Sequence, residues 1–248
     1  DSLWEDMDAF VLFLQKTFVN LSPTASSSAQ ISKTTIQRTT VVEVSELYLF
    51  PIKSCAAQRV RQWKVELPSG KLKYDREFSL VDTSGNAIRL QACPKMTTIE
   101  PKIDLETETM TIHAPGMREL VIKLGEDSPI HHDGNEAIQV CGNKCGGKLW
   151  GDYDVAEWFS SYLGVQCWLA RFQKENLDPR LQHAESAIPP PVPRAGFANE
   201  QAILLISENA VALLNAVLVK QNQRPVCSRH FRPNMVVRAK DSDNGHVE

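Results

Sequence analysis

From Val41 to Val140 the chain is broken into short apolar runs by turn-forming residues, with few helical windows between them. VVEVSELYLF alternates apolar and polar residues and stops at Pro51, as a half-buried strand does. The same reasoning predicts strands at Val60–Leu67, Glu77–Val81, Ala87–Gln91, Ile99–Leu105, Thr109–Ala114, Glu119–Lys123 and Ala137–Val140. The breaks carry turn chemistry: PSG at 68–70, TSGN at 83–86, APG at 114–116 and DGN at 133–135. Such spacing suggests a mainly antiparallel sheet or small barrel. Helical windows come later. Asp154–Leu163 places Val155, Trp158, Phe159 and Tyr162 on one face and ends at Gly164, and a strand is expected at Cys167–Phe172. Residues 173–200 hold five prolines and Gly196 and read as an irregular or mobile loop. AILLI (202–206) reads as a buried strand, SENAVALLNAVLV as a helix with Ser207 as N-cap, and Asn234–Arg238 as a final strand. The class is α+β, mainly β with some α.

Residues 2–18 differ in kind. Leu3, Trp4, Met7, Phe10, Val11, Leu14 and Phe18 recur at helical spacing, and Ser2 with Glu5 fits a capping box. The segment that follows is rich in Ser and Thr and has no sustained period, so it reads as a linker. The helix then needs a partner outside this chain, and it reads as the tail of a preceding domain. The last ten residues are hydrophilic, so the chain reads as cut at both ends.

At 248 residues the chain holds one or two domains. Its formal net charge of −3 argues against a protein that binds nucleic acid through the phosphate backbone. No apolar run approaches the roughly 18 residues of a membrane span, and no secretory signal is visible. Six dispersed cysteines without a signal point to reduced thiols and a cytoplasmic setting.

Four stretches carry more than pattern: LYLFPIKSC (47–55), YDREFSLVD (74–82), CGGKLWGDYDVAEWFSSYLG (145–164) and HFRPNMVV (230–237). Together, in this order, they resemble the MOSC family, the domain shared by molybdenum-cofactor sulfurases and the amidoxime-reducing component. WEDMDAFVLFLQKTF resembles the final helix of an aminotransferase-class-V cysteine desulfurase. A desulfurase end, a Ser/Thr linker and a MOSC module together resemble the eukaryotic sulfurase branch of that family. The resemblance implies a terminal desulfurase helix at 1–20, a linker at 21–40, a MOSC N-terminal β-barrel subdomain at 41–173 and a truncated MOSC domain at 174–248. It implies a MOSC-type β-barrel with flanking helices. It also implies binding of the molybdenum cofactor, with pyridoxal phosphate confined to the absent desulfurase domain, which would be a partner. Xanthine dehydrogenase and aldehyde oxidase would be the targets; neither nucleic acid nor a membrane is expected.

The cofactor's terminal phosphate calls for fixed cations and donors. By resemblance, Lys53, Ser54, Arg76, Arg232 and Asn234 contact it. The residues alone leave alternatives: Lys53 and Ser54 also fit a surface lysine beside a turn serine, and Arg76 a bridge to Asp75. Arg232 and Asn234 flank Pro233, which fixes the backbone between them. His230 reads as a cap or core histidine as readily as a ligand. Cys227, near Arg224, Arg229 and His230, is the leading candidate for a reactive or ligating thiol, with Cys55 second and an inert buried cysteine the alternative. Cys141 and Cys145 with His131 and His132 make a weak zinc set. The metal ligand is left unidentified. In the amidoxime-reducing branch a cysteine stands where this chain has Lys240, and a Thr-Ser pair where it has Glu200-Gln201. Both departures favour sulfur transfer over reduction of N-hydroxylated compounds. A non-enzymatic cofactor carrier is the third reading.

Overall fold

The computed structural model describes residues 42–67, 69–125, 137–140, 143–172, 196–197 and 202–239, the side chains of Ala137 and residues 143–145 aside. The expected N-terminal helix and linker lie outside these residues. So do most of the 173–200 break, the DGN turn, His131, His132, Cys141, the Cys145 side chain, Glu200, Gln201, Lys240 and the tail.

Eleven strands and two α-helices are present among the described residues. They are β1 (Val42–Leu49), β2 (Gln58–Val60), β3 (Phe78–Val81), β4 (Glu100–Asp104), β5 (Thr109–His113), β6 (Leu120–Lys123), β7 (Ala137–Val140) and β8 (Asn143–Leu149). After α1 (Tyr153–Leu163) come β9 (Trp168–Phe172), β10 (Leu205–Ser207), α2 (Glu208–Lys220) and β11 (Met235–Ala239). The strands form three sheets, ordered β10–β11–β1–β2, β3–β9–β8–β7 and β4–β5–β6. Only β10 and β11 run parallel among the paired strands. The class is α+β, mostly strands; among the described residues no sheet closes on itself, so the expected barrel stands as three sheets. The first sheet draws β1 and β2 from the N-terminal half and β10 and β11 from the C-terminal end.

Most predicted strands are present, and three differ for physical reasons. Residues 60–67 keep only the end of β2 and a bridge from Val65 to Leu72, because Lys73 N–H donates to the Lys64 carbonyl and Glu66 N–H to that of Lys71 around a tight loop. Ala87 bridges Val81, and the chain then turns, with Ala92 and Cys93 N–H both donating to Arg89 O. AILLI contributes only the start of β10, and it is not buried: Leu204 and Leu205 are about half exposed. The alternation of β1 also fails at its outer end. A register shift between Val44 and Glu46 leaves Val42 and Val44 exposed while Ser45 Oγ donates to Val236 O.

β8 was masked in the sequence by its glycines. A Cβ on Gly147 would lie 2.3 Å from Ile138 Cδ1 and 3.2 Å from Phe197 Cζ, so glycine there lets two apolar side chains close over the strand. The edge strand β4 tolerates Pro101, and its Ile103 peptide is capped in both directions by the Gln58 amide (3.0 and 2.8 Å).

α1 follows its sequence closely. Asp152 accepts from Asp154 N–H at the N-terminus, and Gly164, at φ 74°, closes the C-terminus through a bond to Ser160 O. Its buried face, led by Trp158, Phe159 and Tyr162, joins the main core with Leu49, Phe78, Met110, Ile112 and Trp150. The buried charges near this interior are matched by opposite ones. Lys71, 1% exposed, meets Glu77 at 3.2 Å, and Glu77 also receives Arg171 Nε at 2.8 Å.

Candidate functional site

The chain leaves β1 through Phe50 and Pro51 into the turn that carries Lys53, Ser54 and Cys55. Phe50 N–H donates to Asp75 Oδ1 (2.8 Å), and Arg76 N–H returns to Phe50 O (2.7 Å), so the 47–55 and 74–82 motifs are stitched together. Asp75 is 1% exposed, and its other oxygen receives Arg76 at 2.5 Å. The Asp–Arg bridge is therefore real. Arg76 does more than answer Asp75: it donates to Asn234 Oδ1 (2.8 Å) and to the Arg232 carbonyl (2.9 Å), pulling in the FRPN segment.

Asn234, 1% exposed, has both ends of its amide engaged by protein. Its oxygen also accepts from Leu204 N–H (3.2 Å), and its nitrogen donates to Tyr48 O (3.2 Å). It staples β1 to the C-terminal segment from behind the site. Lys53 donates from its backbone to Phe78 O and from Nζ to Phe197 O (3.1 Å). Phe197 in turn donates to Arg76 O (2.7 Å). Lys53, Arg76, Arg232 and Asn234 thus belong to one network, and Ser54 lies beside Lys53 on the same turn.

Two guanidiniums share one ring. Arg76 and Arg232 each lie 4.4 Å from the Phe50 centroid, a cation–π arrangement on a buried aromatic. Arg232 donates to Cys55 O (2.8 Å), and its other guanidinium N–H groups bond nothing among the described residues. No buried side-chain nitrogen or oxygen lacks a partner there, so those N–H groups reach solvent. Burial lowers the Arg232 pKa to about 10, and the neighbouring Arg76 adds to the effect. Among the described residues, Asp75 is the only carboxylate bonded to the pair, through Arg76. Two cations against one anion leave this cluster with a net positive charge.

The backbone there is strained. Ser54, Arg76 and Arg232 all have positive φ (69°, 45° and 55°), a left-handed conformation that costs about 1–2 kcal/mol for a residue with a Cβ. Gly196, at φ 72°, lies so close that a Cβ would stand 2.6 Å from Arg76 O. Phe50, Gly196 and Phe197 belong to this cluster and were missed by the sequence reasoning, which had Asp75 only as the alternative partner of Arg76. Phe50 and Asp75 stood inside the quoted motifs, whereas Gly196 and Phe197 sat in a stretch read only as a break.

The thiols separate clearly. Cys55 is fully buried, and burial pushes its thiol up to about 12 despite the opposing pull of Arg232, so it does not suit a reactive role. Cys167 is buried and also raised by burial. Cys227 is exposed, one 3₁₀ turn (Ser228–Phe231) before Arg232, and no hydrogen bond among the described residues links it to the arginine pair. No group of three or more His, Cys, Asp or Glu among the described residues is arranged to hold a metal. No helix there is long and apolar enough to cross a membrane.

Residues 41–166 match the MOSC N-terminal beta barrel domain. The chain belongs to that family. Across most of its length it is also similar to proteins named molybdenum cofactor sulfurase. The rice protein is 29% identical over 95% of this chain and 30% of its own length. That of Botryotinia fuckeliana is 24% identical over 99% and 35%, and the human protein 28% over 79% and 23%. This MOSC chain therefore spans about a third or less of the relatives it matches.

Proposed function

We propose that this chain is the molybdenum-cofactor-binding part of a molybdenum cofactor sulfurase. The observation that carries the reading is the Arg76–Arg232 pair on Phe50, with one carboxylate, on Arg76, against two cations and open guanidinium donors on Arg232. Such a cluster suits the phosphate monoester of the pyranopterin. Arg232 would meet the phosphate directly, with Lys53 and Ser54 on the adjoining turn. Arg76 and Asn234 would hold that arrangement from behind. Bound there, the cofactor supplies the molybdenum centre at which sulfur replaces an oxygen ligand. The sulfur would come from L-cysteine through pyridoxal-phosphate chemistry on a desulfurase region, arrive as a persulfide and pass by way of Cys227. Xanthine dehydrogenase and aldehyde oxidase would receive the product. In this reading residues 41–173 form the barrel subdomain and 174–248 part of the MOSC domain proper.

The test is the pterin and molybdenum content of the chain purified from a host that makes the eukaryotic-type cofactor. Near-stoichiometric pterin is expected. Arg232→Ala should lower occupancy about tenfold or more, the worth of one charge-assisted hydrogen bond. A folded wild-type chain carrying neither pterin nor molybdenum would refute the reading. If Cys227→Ala keeps the cofactor and its sulfuration, the chain is a carrier and not a transferase.

A further inference from the structure

His230 is not a surface bystander. Its Nδ1 lies 3.1 Å from Cys227 Sγ, 3.0 Å from Cys227 N and 3.2 Å from Cys227 O. The Cys227 N–H can only donate, so in the neutral ring Nδ1 carries a lone pair and the proton sits on Nε2. The thiol, 3.1 Å away, shares that acceptor with Cys227 N–H. A nucleophile with a base inside hydrogen-bond reach is the arrangement that activates cysteine.

The pair is exposed, yet its backbone is held from two sides. On one, the Asn215 side chain of α2 clamps Val226 with two 2.8 Å bonds, to its N–H and its carbonyl. On the other, Ser228 Oγ donates to Glu46 Oε2 of β1 (3.3 Å), while His230 N–H closes the turn on Cys227 O (3.1 Å). A cysteine fixed at both neighbours, open to solvent and aimed at an imidazole is a built nucleophile.

We propose that Cys227 and His230 form a thiol–imidazole pair that accepts sulfane sulfur from a persulfide; this rests on the sulfur-transfer reading above. His230 Nδ1 takes the thiol proton. Cys227 Sγ attacks the outer sulfur of R–S–SH, the S–S bond breaks, and R–S⁻ leaves and is protonated to R–SH. The product is Cys227–S–SH. One sulfane sulfur changes hands, and neither oxidant nor reductant is needed. After proton transfer, the imidazolium Nδ1–H can donate to the sulfur anion or to Cys227 O.

The experiment needs no bound molybdenum cofactor. Alkylation of Cys227 by iodoacetamide is followed by peptide mass in wild type and His230→Asn. The asparagine oxygen can still accept from Cys227 N–H, so the variant keeps the cap and loses the base. Wild type should react about tenfold faster at neutral pH, and the two rates should converge above the ordinary thiol range, where deprotonation needs no partner. Glutathione persulfide should add one sulfur atom at Cys227 in wild type and markedly less in His230→Asn. Equal rates at neutral pH, or sulfur appearing at another cysteine, would overturn the pair. Pterin is assayed on the same wild-type sample. A fast Cys227 without pterin leaves the pair standing and sinks only the cofactor reading.

Discussion

Asp75→Asn tests whether a single carboxylate holds the two arginines together. Asp75 is 1% exposed and meets Arg76 at 2.5 Å, while Arg76 and Arg232 lie at equal distance from one ring. The amide can keep the bond from Phe50 N–H, but its NH₂ would face a guanidinium donor, and the charge on Phe50 would rise from a net +1 to +2. Removing one partner of a buried pair costs about 3–5 kcal/mol. The Arg76 side chain is 15% exposed, and this solvent access places the loss near the low end, about 3 kcal/mol. Urea unfolding at neutral pH measures it, with the slope checked for two-state behaviour. Because the loss is electrostatic, it should be partly recovered in two ways. Adding Arg232→Met should give a double variant less destabilised than the sum of its parts. Inorganic phosphate should stabilise Asp75→Asn more than wild type, since an anion would replace the missing charge. A loss under about 1 kcal/mol, or equal protection of both proteins by phosphate, would refute the account of Asp75 as the counter-charge.

Other expectations follow from single contacts. Gly196→Ala puts a Cβ 2.6 Å from Arg76 O at a φ of 72°; it should lower stability by about 1–3 kcal/mol, read as a drop in Tm. Glu77→Ala leaves Lys71, 1% exposed, with only the more distant Glu66 at 3.5 Å and should cost about 3–5 kcal/mol by urea unfolding. Cys55 has its pKa raised from 9.0 to about 12, so its contribution to stability is intact below pH 9 and is lost as pH rises towards 12. Unfolding followed across that window should therefore show a shallower alkaline decline in Cys55→Ala than in wild type.

Local chemistry made much of this molecule legible. The strands of the β4–β5–β6 sheet, α1 with its Asp152 cap and Gly164 stop, and β11 after Pro233 all follow from period and punctuation. β8 did not, because glycine at 147 is set by Ile138 and Phe197 pressing on it from elsewhere in the chain. AILLI looked buried because apolar composition says nothing about which sheet edge a strand will occupy. In the site, the charged residues were visible as motifs. Their division of labour was not: Asn234 looks like a donor in sequence and becomes a staple only when Tyr48, Arg76 and Leu204 surround it. His230 was weighed as a cap, and it is one. Its second role depends on an atom-scale distance to Cys227 that spacing alone does not fix.

The pairing of β1 with β11 bears on how the protein is made. Glu43 on β1 and Arg238 on β11 meet across 195 residues. At about 5–20 residues per second, a ribosome takes roughly 10–40 s to supply the second strand after the first. Through that interval β1 has its hairpin partner β2 on one side and an unfilled ladder on the other, with the apolar Val42 and Val44 beside it. Loop closure over such a span is slow, which places completion of the first sheet, and with it the Arg76–Arg232 cluster, at the last stage of folding. A nascent chain stalled before Arg232 would hold Lys53, Asp75 and Arg76 in its sequence and still lack the second arginine on Phe50.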